Sequence, residues 1–442
     1  MKIAILGFEG QGKSAYDYWG KPENDITICD IDTKKHIPPG AKKQLGPEYL
    51  EKLDQYDLII RTPVIHPRQI QEANPDAPDI LEKIWTNTNE FLEVCPTRNI
   101  IGVTGTKGKG TTCILIARML EAAGHRVHLG GNIGIPPLDM LKDGIKPDDW
   151  VVLELANFQL IDLKSSPHIA VCLLIEPEHL NWHADIDEYV EAKRQLFVHQ
   201  AEQDIAIYYA NNHYSQAIAE STAGSIMPFM ADPGAYVTDN AEGEEYVMID
   251  HHKICDISDI KLLGKHNWQN VCAAVTAVWN ITQDVPAIRK AIAGLAGLPH
   301  RLERVREVDG VTYYNDSFAS APPATVAAMD AIVGSKVMLI GGFDRGLDLG
   351  ELARGIVKHQ EDLRRVIIIG QSAPHIEKAL SVHGFTNYDV LQDAAMKNVV
   401  DHAKSAAHPG DKVVLSPGFA SFDMFKNFED RGIQYKEAVN AL

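Results

Sequence analysis

Residues 104–112, with the sequence TGTKGKGTT, form a glycine-rich loop that could bind the phosphates of a nucleotide. Gly105 and Gly108 leave room for backbone N–H groups to approach phosphate oxygens, and Lys109 is placed to reach the β- and γ-phosphates. Either of the two threonines that end the loop can offer a hydroxyl to Mg²⁺, although Val103 replaces the first glycine of a strict Walker A motif. This segment, here called the central glycine loop, predicts a nucleoside triphosphate site.

A carboxylate should accompany such a loop, because Mg²⁺ that bridges β- and γ-phosphates takes hard oxygen ligands. Glu154 is the candidate, since it lies in the apolar segment VVLEL, where a buried acid needs a partner or a function. His179, in the segment EPEHLNWH, could supply a second metal ligand or could be an ordinary loop histidine. Glu176 and Glu178 are interpreted as solvated charges.

A second glycine-rich segment, GFEGQGKS at residues 7–14, follows the first predicted strand and is called the N-terminal glycine loop. It satisfies the P-loop pattern literally, through Lys13 and the serine after it. It also fits a dinucleotide-type turn, in which Asp30 at the end of the next strand would bind a ribose hydroxyl. A tight turn that needs small residues is the third alternative, and the residues alone leave all three open.

The elements that position these residues alternate in a strand, turn, helix pattern. Short Val, Ile and Leu runs without polar alternation are typical of strands buried on both faces of a parallel sheet. They occur at residues 2–6, 26–29, 58–61, 100–103, 151–155, 169–175, 205–209, 311–314, 337–340, 366–369 and 413–415. Predicted helices lie at residues 111–123, 186–199, 267–279, 287–295, 323–332, 349–358 and 425–440. This alternation predicts an α/β protein.

Length and turn-rich breaks indicate three domains. The 442 residues correspond to about three domains of average size. Breaks before the strand at residue 100 and near GLPHR place them at residues 1–97, 98–299 and 300–442. Residues 214–260 are interpreted as short strands and turns.

Charge and hydropathy exclude several classes of protein. Lys and Arg total 42 against 60 Asp and Glu, so the net charge of −18 argues against broad contact with nucleic acid or an anionic membrane. No apolar run approaches the ~18 residues of a membrane helix, and the start MKIAIL lacks the pattern of a signal peptide. Six scattered cysteines without a C-x-x-C pair favour buried, reduced thiols, and we expect a cytoplasmic protein.

Nine motifs, in chain order, resemble those of the Mur ligases, the ATP-dependent amino-acid ligases of peptidoglycan synthesis. They are TGTKGKGTT, GGNIG, LELANFQL, EPEHLNWH, EAKRQLF, GKHNWQN, GLPHRLE, NDSFAS and LSPGFASFDMFKNFEDRG. The resemblance covers essentially the whole chain. It implies a Rossmann-like UDP-binding domain, a central P-loop ATPase domain and a C-terminal Rossmann-like domain that binds the amino acid.

The resemblance also implies the reaction and the residues that carry it. The expected activity is the addition of glutamate to UDP-N-acetylmuramoyl-L-alanine through an acyl phosphate, by a monomer that uses ATP and two Mg²⁺ ions; D-glutamate is favoured, with L-glutamate as the alternative. The implied catalytic residues are Lys109, Glu154, His179 and Lys193. The implied ATP-binding residues are Gly105, Thr106, Lys107, Gly108, Lys109, Gly110, Thr111, Thr112, Asn267, Asn270, Arg301 and Asp316. The implied metal ligands are Thr111, Glu154, His179 and Lys193, the last as a carbamate. The implied contacts to the UDP-linked substrate are Gly10, Gln11, Asp30, Asn132 and Gln159. The implied glutamate-binding residues are Arg345, Ser421 and Phe428.

Some positions depart from the family pattern. Gly110 follows the loop lysine where Ser or Thr is usual, Phe318 stands where Lys is frequent, and Arg345 replaces a common Lys. These departures leave open which amino acid, and which isomer of glutamate, is accepted. A folylpolyglutamate synthase-like ligase and a non-catalytic nucleotide-binding partner protein are the alternatives. The N-terminal glycine loop argues against the first, and the set of Lys109, Glu154, His179 and Lys193 argues against the second.

Overall fold

The computed structural model describes residues 1–295, 297, 299–391 and 395–442. Two compact units divide the chain. The first unit comprises Met1–Asp259 and Lys265–Ala293, and the second comprises Ile260–Gly264 and Gly294–Leu442. The short segment Ile260–Gly264 thus belongs to the second unit, where Leu263 packs against the apolar core. Across the described ranges, no helix is long and apolar enough to cross a membrane.

The first unit begins with a five-stranded parallel sheet of order β3-β2-β1-β4-β5. Its strands are β1 (Lys2–Leu6), β2 (Asp25–Asp30), β3 (Lys42–Leu45), β4 (Leu58–Arg61) and β5 (Ile84–Trp85). Its helices are α1 (Gly10–Trp19), α2 (Pro67–Ala73) and α3 (Asn87–Val94). β1 lies at the centre and four of its five residues are buried, as its unbroken apolar run requires. The glycine loop after β1 therefore lies at the carboxyl edge of this sheet.

A second, six-stranded parallel sheet in the same unit has the order β11-β10-β9-β6-β8-β7. Its strands are β6 (Ile100–Thr104), β7 (Val127–Gly131), β8 (Trp150–Glu154), β9 (Ile169–Cys172), β10 (Ile205–Tyr209) and β11 (Ser225–Phe229). Its helices are α4 (Lys109–Ala122), α5 (Pro137–Met140), α6 (Asn157–Leu160), α7 (Ile186–Arg194), α8 (His213–Ala219), α9 (His266–Trp279) and α10 (Val285–Gly294). Antiparallel strands β12 (Tyr236–Asp239), β13 (Glu245–Ile249) and β14 (His252–Asp256) form a small third sheet. Neighbouring strands β6, β8 and β9 bring their following loops to one edge.

The second unit contains a six-stranded sheet of order β15-β16-β20-β17-β18-β19, parallel except for the β15–β16 pair. Its strands are β15 (Glu303–Val308), β16 (Val311–Asn315), β17 (Lys336–Gly341), β18 (Leu363–Ile369), β19 (Tyr388–Leu391) and β20 (Lys412–Leu415). Its helices are α11 (Pro322–Ala331), α12 (Gly350–Lys358), α13 (Ala373–Val382), α14 (Met396–Ala406) and α15 (Phe428–Asn440). Apolar clusters lie on both faces of this sheet.

The α/β class with three largely parallel sheets is confirmed, while the exact domain bounds stay a prediction. The helix predicted at residues 186–199 ends at Arg194, because the chain continues in tight turns that bury Leu196 and Phe197. The strand predicted at residues 169–175 ends at Cys172. The helix predicted from Thr111 begins at Lys109, so the central glycine loop is shorter than its sequence motif.

Candidate active site

The central glycine loop connects β6 to α4 through backbone that only glycine adopts readily. Gly105 has φ +151°, and an added Cβ would lie 2.6 Å from Cβ of Leu173. Gly108 has φ +86° and directly precedes α4, a helix of 14 residues. The loop therefore ends at the N-terminus of this helix. Free N–H groups and the positive end of the helix dipole make such a terminus an anion site. The loop is therefore built to accept phosphate.

Two lysines converge on the carbonyl oxygen of Gly105. Lys109 Nζ donates to it at 2.9 Å and to the carbonyl of Thr106 at 3.1 Å. Lys193 Nζ, from α7, donates to the same carbonyl at 3.1 Å and to Oγ1 of Thr104 at 3.4 Å. Lys193 is fully buried, and burial, reinforced by the charge of Lys109, lowers its pKa well below the ordinary lysine range. Lys193 is thus a buried amine beneath the loop, with a lowered pKa, rather than a surface charge.

Helix α9 supplies two amides to the same loop. An added Cβ on Gly108 would lie 2.2 Å from Oδ1 of Asn270, which also accepts from Oγ1 of Thr112 at 3.5 Å. Asn270 Nδ2 donates to Oδ1 of Asn267 at 2.9 Å. Both asparagines are buried, so the structure brings the α9 motif to the central glycine loop.

Glu154 ends β8, the strand next to β6. Its side chain is buried, and Oε1 accepts a hydrogen bond of 2.8 Å from Nδ2 of Asn132. Carboxylate oxygens are ligands that a hard cation such as Mg²⁺ prefers. Gln159, on the short helix that follows, accepts from the backbone N–H of Ala156 through Oε1 at 3.0 Å.

His179 adopts φ +58° in the loop after β9, and its ring lies 4.8 Å from the ring of Phe158. Burial lowers its pKa most; Glu178, whose Oε2 lies 3.6 Å from Nε2, opposes the shift, while Lys109 and Lys193 add to it. A neutral imidazole is the form that binds metal ions. Lys109 and Lys193 both contribute to the lowered pKa of His179, and its role as a metal ligand stays a prediction.

Tyr189 is a site residue that sequence reasoning missed. It is fully buried on α7, its hydroxyl lies 2.9 Å from Oγ1 of Thr106, and its ring lies 4.6 Å from Nζ of Lys193. Its position four residues before Lys193, one helical turn away, was the available signal.

Another missed cluster consists of His66, His183 and Glu188. His66 Nε2 and His183 Nδ1 each lie 3.4 Å from Oε2 of Glu188, and burial lowers the pKa of both rings, that of His183 to about 4. The donor set resembles a metal site. However, His66 Nδ1 accepts from the backbone N–H of Arg68 at 3.0 Å, which places the proton of the neutral ring on Nε2. That nitrogen has no lone pair for a metal. Within the described residues, neither it nor Nδ1 of His183 has a hydrogen-bond partner, and the ion pair of Arg68 with Glu188 links α2 to α7.

The N-terminal glycine loop opens helix α1 at Gly10 beside a cleft of about 800 Å³. Asp30 is buried and accepts from the backbone N–H of Phe8 at 2.8 Å, and Lys35 lies 3.5 Å from it. Gln11 is held by Asn87, which donates to its carbonyl at 2.8 Å and to its Oε1 at 2.9 Å. The structure thus brings Gly10, Gln11 and Asp30 to one sheet edge.

The remaining predicted residues belong to the second unit. Asp316 is buried after β16, where Ser416 Oγ donates to Oδ2 at 2.7 Å; burial raises its pKa to about 6. Arg301 lies over the ring of Phe318, with 5.7 Å from the guanidinium carbon to the ring centre, and the ring of Phe318 packs edge-on against that of Phe428 at 5.1 Å.

Arg345 and Ser421 complete this set. Arg345 donates to the backbone carbonyl of Ser320 at 2.6 Å. Ser421 is buried in the loop after β20, the strand that lies between β16 and β17. The loops after β16, β17 and β20 therefore gather Asp316, Arg345 and Ser421 at the carboxyl edge of the six-stranded sheet of the second unit.

Comparison with known proteins identifies the family. Residues 103–278 match the family described as Mur ligase middle domain, and residues 300–419 match the family described as Mur ligase, glutamate ligase domain. The chain is 36% identical to the UDP-N-acetylmuramoylalanine--D-glutamate ligase of Acetivibrio thermocellus, over 100% of this chain and 96% of that protein. It is 37% identical to the protein of the same name from Symbiobacterium thermophilum, over 94% and 93% of the two chains.

Solved structures share the fold at low sequence identity. MurF from Acinetobacter baumannii superposes with a TM-score of 0.63 and 16% identity, covering 99% of this chain and 93% of that chain. E. coli FolC, in complex with DHPP and ADP, gives a TM-score of 0.58 and 17% identity over 80% of this chain and 91% of its own. With relatives that match end to end, the chain belongs to the Mur ligase family.

Proposed function

We propose that this protein is the ATP-dependent ligase that joins D-glutamate to UDP-N-acetylmuramoyl-L-alanine in peptidoglycan precursor synthesis, acting as a cytoplasmic monomer. The full-length relatives that carry this name support the substrate assignment. The observation that carries the chemistry is the convergence of Lys109 and Lys193 on the Gly105 carbonyl beneath a glycine loop.

The central glycine loop holds the ATP phosphates in this proposal. The N–H groups of Thr106 and Thr112 already donate to the carbonyls of Leu174 and Gly108, so phosphate oxygens are bound by N–H groups of the loop residues between them. Lys109 exchanges its carbonyl partners for the β- and γ-phosphates. Asn267 and Asn270 support the loop from α9, and Arg301 and Asp316 are the ATP-binding residues of the second unit.

Two Mg²⁺ ions fit the donors present, since Thr111, Glu154 and His179 offer a hydroxyl, a carboxylate and a neutral imidazole. When bound, Mg²⁺ neutralises charge on the phosphates and on the acid that attacks them. Lys193 joins the set as a carbamate: its neutral amine adds to CO₂, an N–C bond forms, and a proton is released. The lowered pKa supports this step, because only the unprotonated amine is a nucleophile.

The reaction then follows in two transfers. A carboxylate oxygen of the alanyl group attacks the γ-phosphorus, and the bond to the β-phosphate oxygen breaks to give an acyl phosphate and ADP. The amine of glutamate attacks the acyl carbon, loses a proton, and expels inorganic phosphate as the amide forms. The residues of the central loop supply positive charge where negative charge accumulates on the phosphate.

The two other substrates are assigned to the remaining sites. Gly10, Gln11 and Asp30 bind the uridine nucleotide, and Asn132 and Gln159 contact the sugar-linked part. Arg345, Ser421 and Phe428 bind glutamate, where a guanidinium can hold a carboxylate with two hydrogen bonds. We also propose domain bounds at residues 1–97, 98–299 and 300–442, which rest on the turn-rich breaks in the sequence.

The test is a substrate panel with the purified protein. ADP release and a product that is heavier by one glutamyl residue are expected only when UDP-N-acetylmuramoyl-L-alanine, ATP, Mg²⁺ and D-glutamate are present together. Parallel reactions replace D-glutamate with L-glutamate, and the sugar nucleotide with a reduced folate. Turnover with the folate would instead support a folylpolyglutamate synthase, and no turnover in any reaction would leave a nucleotide-binding partner protein.

A further inference from the structure

Arg61 is a fully buried cation whose five N–H groups all have acceptors. Nε and Nη2 donate to Oδ2 and Oδ1 of Asp162, each at 2.6 Å, in a bidentate ion pair. Nη1 donates to the backbone carbonyls of Thr62 and Ile65 at 3.3 and 2.8 Å, and Nη2 donates to the carbonyl of Phe158 at 2.9 Å. Sequence motifs gave no sign of this pair, because its members lie 101 positions apart.

The pair joins the carboxyl edges of the two large sheets in the first unit. Arg61 is the last residue of β4, and the next residue, Thr62, donates from Oγ1 to the carbonyl of Leu6 at 2.6 Å. The Thr62 hydroxyl also fills the space where a Cβ on Gly7 would lie, at 2.6 Å. Arg61 therefore supports the first residue of the N-terminal glycine loop.

At its other end the pair reaches the segment that follows Glu154. Phe158, whose carbonyl accepts from Arg61, immediately precedes Gln159 on α6. Asp162 is itself fixed through its carbonyl, which accepts from Nδ2 of Asn89 at 3.0 Å. The guanidinium of Arg61 thus contacts both the turn beside the N-terminal glycine loop and helix α6, which follows Glu154 at the end of β8.

Such a link resists small displacements. A buried guanidinium is tolerated only while a counter-charge and hydrogen-bond acceptors surround it. Sliding one sheet edge past the other would therefore leave several of its N–H groups buried without acceptors. Lysine cannot replace it, since an ammonium group lacks the planar fork.

We propose that Arg61 and Asp162 are positioning residues. They set the spacing between the N-terminal glycine loop and the sheet edge that carries the central glycine loop, so that the carboxylate of the substrate meets the γ-phosphate. The proposal rests on the proposed function. A misplacement of about 1 Å in such a reaction lowers the rate by about 100-fold.

The experiment compares Arg61→Lys and Asp162→Asn with the wild type. Both variants are expected to lose about 10- to 100-fold in kcat and to raise KM for UDP-N-acetylmuramoyl-L-alanine at least about 5-fold. KM for ATP and for glutamate should change less than about 2-fold, because the loops that bind them keep their own contacts. Arg364→Lys is the control for the same substitution in another arginine–aspartate pair. Arg364 pairs with Asp411 at 3.0 Å, is more exposed than Arg61, and lies near the start of β18, at the opposite end from the strand ends that carry the site. The control variant should keep wild-type constants.

Melting temperature and circular dichroism separate positioning from simple structural support. Wild-type constants in folded Arg61→Lys and Asp162→Asn would overturn the proposal, and so would a failure of both variants to fold. An equal rise in all three KM values would do the same. If the wild type itself forms no product, the proposed function fails. That outcome is distinct from failure of the positioning proposal, in which the wild type is active and the variants match it.

Discussion

Replacing Asp316 with asparagine should stabilise the second unit at alkaline pH while removing the ligase activity. Burial raises the pKa of this carboxyl to about 6, although hydrogen bonds from Ser416 and from the backbone N–H of Leu302 partly offset that rise. In the unfolded chain the pKa of an aspartate is about 4. The folded state therefore binds the proton more tightly than the unfolded state does.

The sign and size of the effect follow from this difference. As pH rises from about 4 to about 6, the unfolded state ionises first, so the wild type loses stability across that window and stays lower above it. Two pKa units correspond to about 3 kcal/mol at most. Asparagine carries no charge, and its amide can still accept from Leu302 and donate to Ser416. We expect Asp316→Asn to gain about 1 to 3 kcal/mol at pH 8 and almost nothing at pH 4.

Calorimetry of the full chain at pH 4, 6 and 8 measures the effect. A gain of this size raises the melting temperature of the second unit by roughly 3 to 10 °C at pH 8. Asp411→Asn is the control of opposite sign: burial alone would raise the pKa of Asp411, but hydrogen bonds from Arg364 and the backbone N–H of His408 hold it below its ordinary value. That variant should lose stability at pH 8. A melting temperature of Asp316→Asn that falls equally at all three pH values would refute the reasoning.

Two further predictions concern lysines. Lys193→Ala should lose activity that added bicarbonate does not restore, while small carboxylic acids restore part of it by replacing the carbamate; full activity in steady-state assays would remove the carbamate from the mechanism. Lys109→Ala should abolish ADP release, whereas Lys13→Ala should mainly raise KM for the UDP-linked substrate, because Lys13 borders the cleft beside α1; the reverse pattern would show that the roles of the two glycine loops are exchanged.

The sequence predicted most of the buried strands because their apolar runs are unbroken. Edge strands were harder: Val127–Gly131 contains a histidine and two glycines, and a strand with one neighbour needs less apolar side chain. The helix over Met396–Ala406 was also missed, although its buried residues Met396, Val399, Val400 and Ala403 follow the i, i+3, i+4, i+7 spacing of an amphipathic helix.

The candidate site divides in the same way. The glycine loops could be predicted because backbone close to phosphate demands a recognisable local sequence. The burial of Lys193 could not, because a lysine on an amphipathic helix is ordinarily solvated; only the packing of α7 places its amine under Gly105. Arg61 and Asp162 meet only after two sheets have formed, so no local pattern marks them.

The segment Ile260–Gly264 has a practical consequence for dissecting the protein. Its five residues lie, in chain order, between two stretches of the first unit, yet Leu263 packs in the core around Leu349 and Phe419. A fragment that starts at Gly294 would lack this segment, and the apolar side chains that Leu263 covers would be exposed to water. Expression of the carboxyl-terminal third alone should therefore yield aggregation-prone material, unless the missing pentapeptide is grafted back.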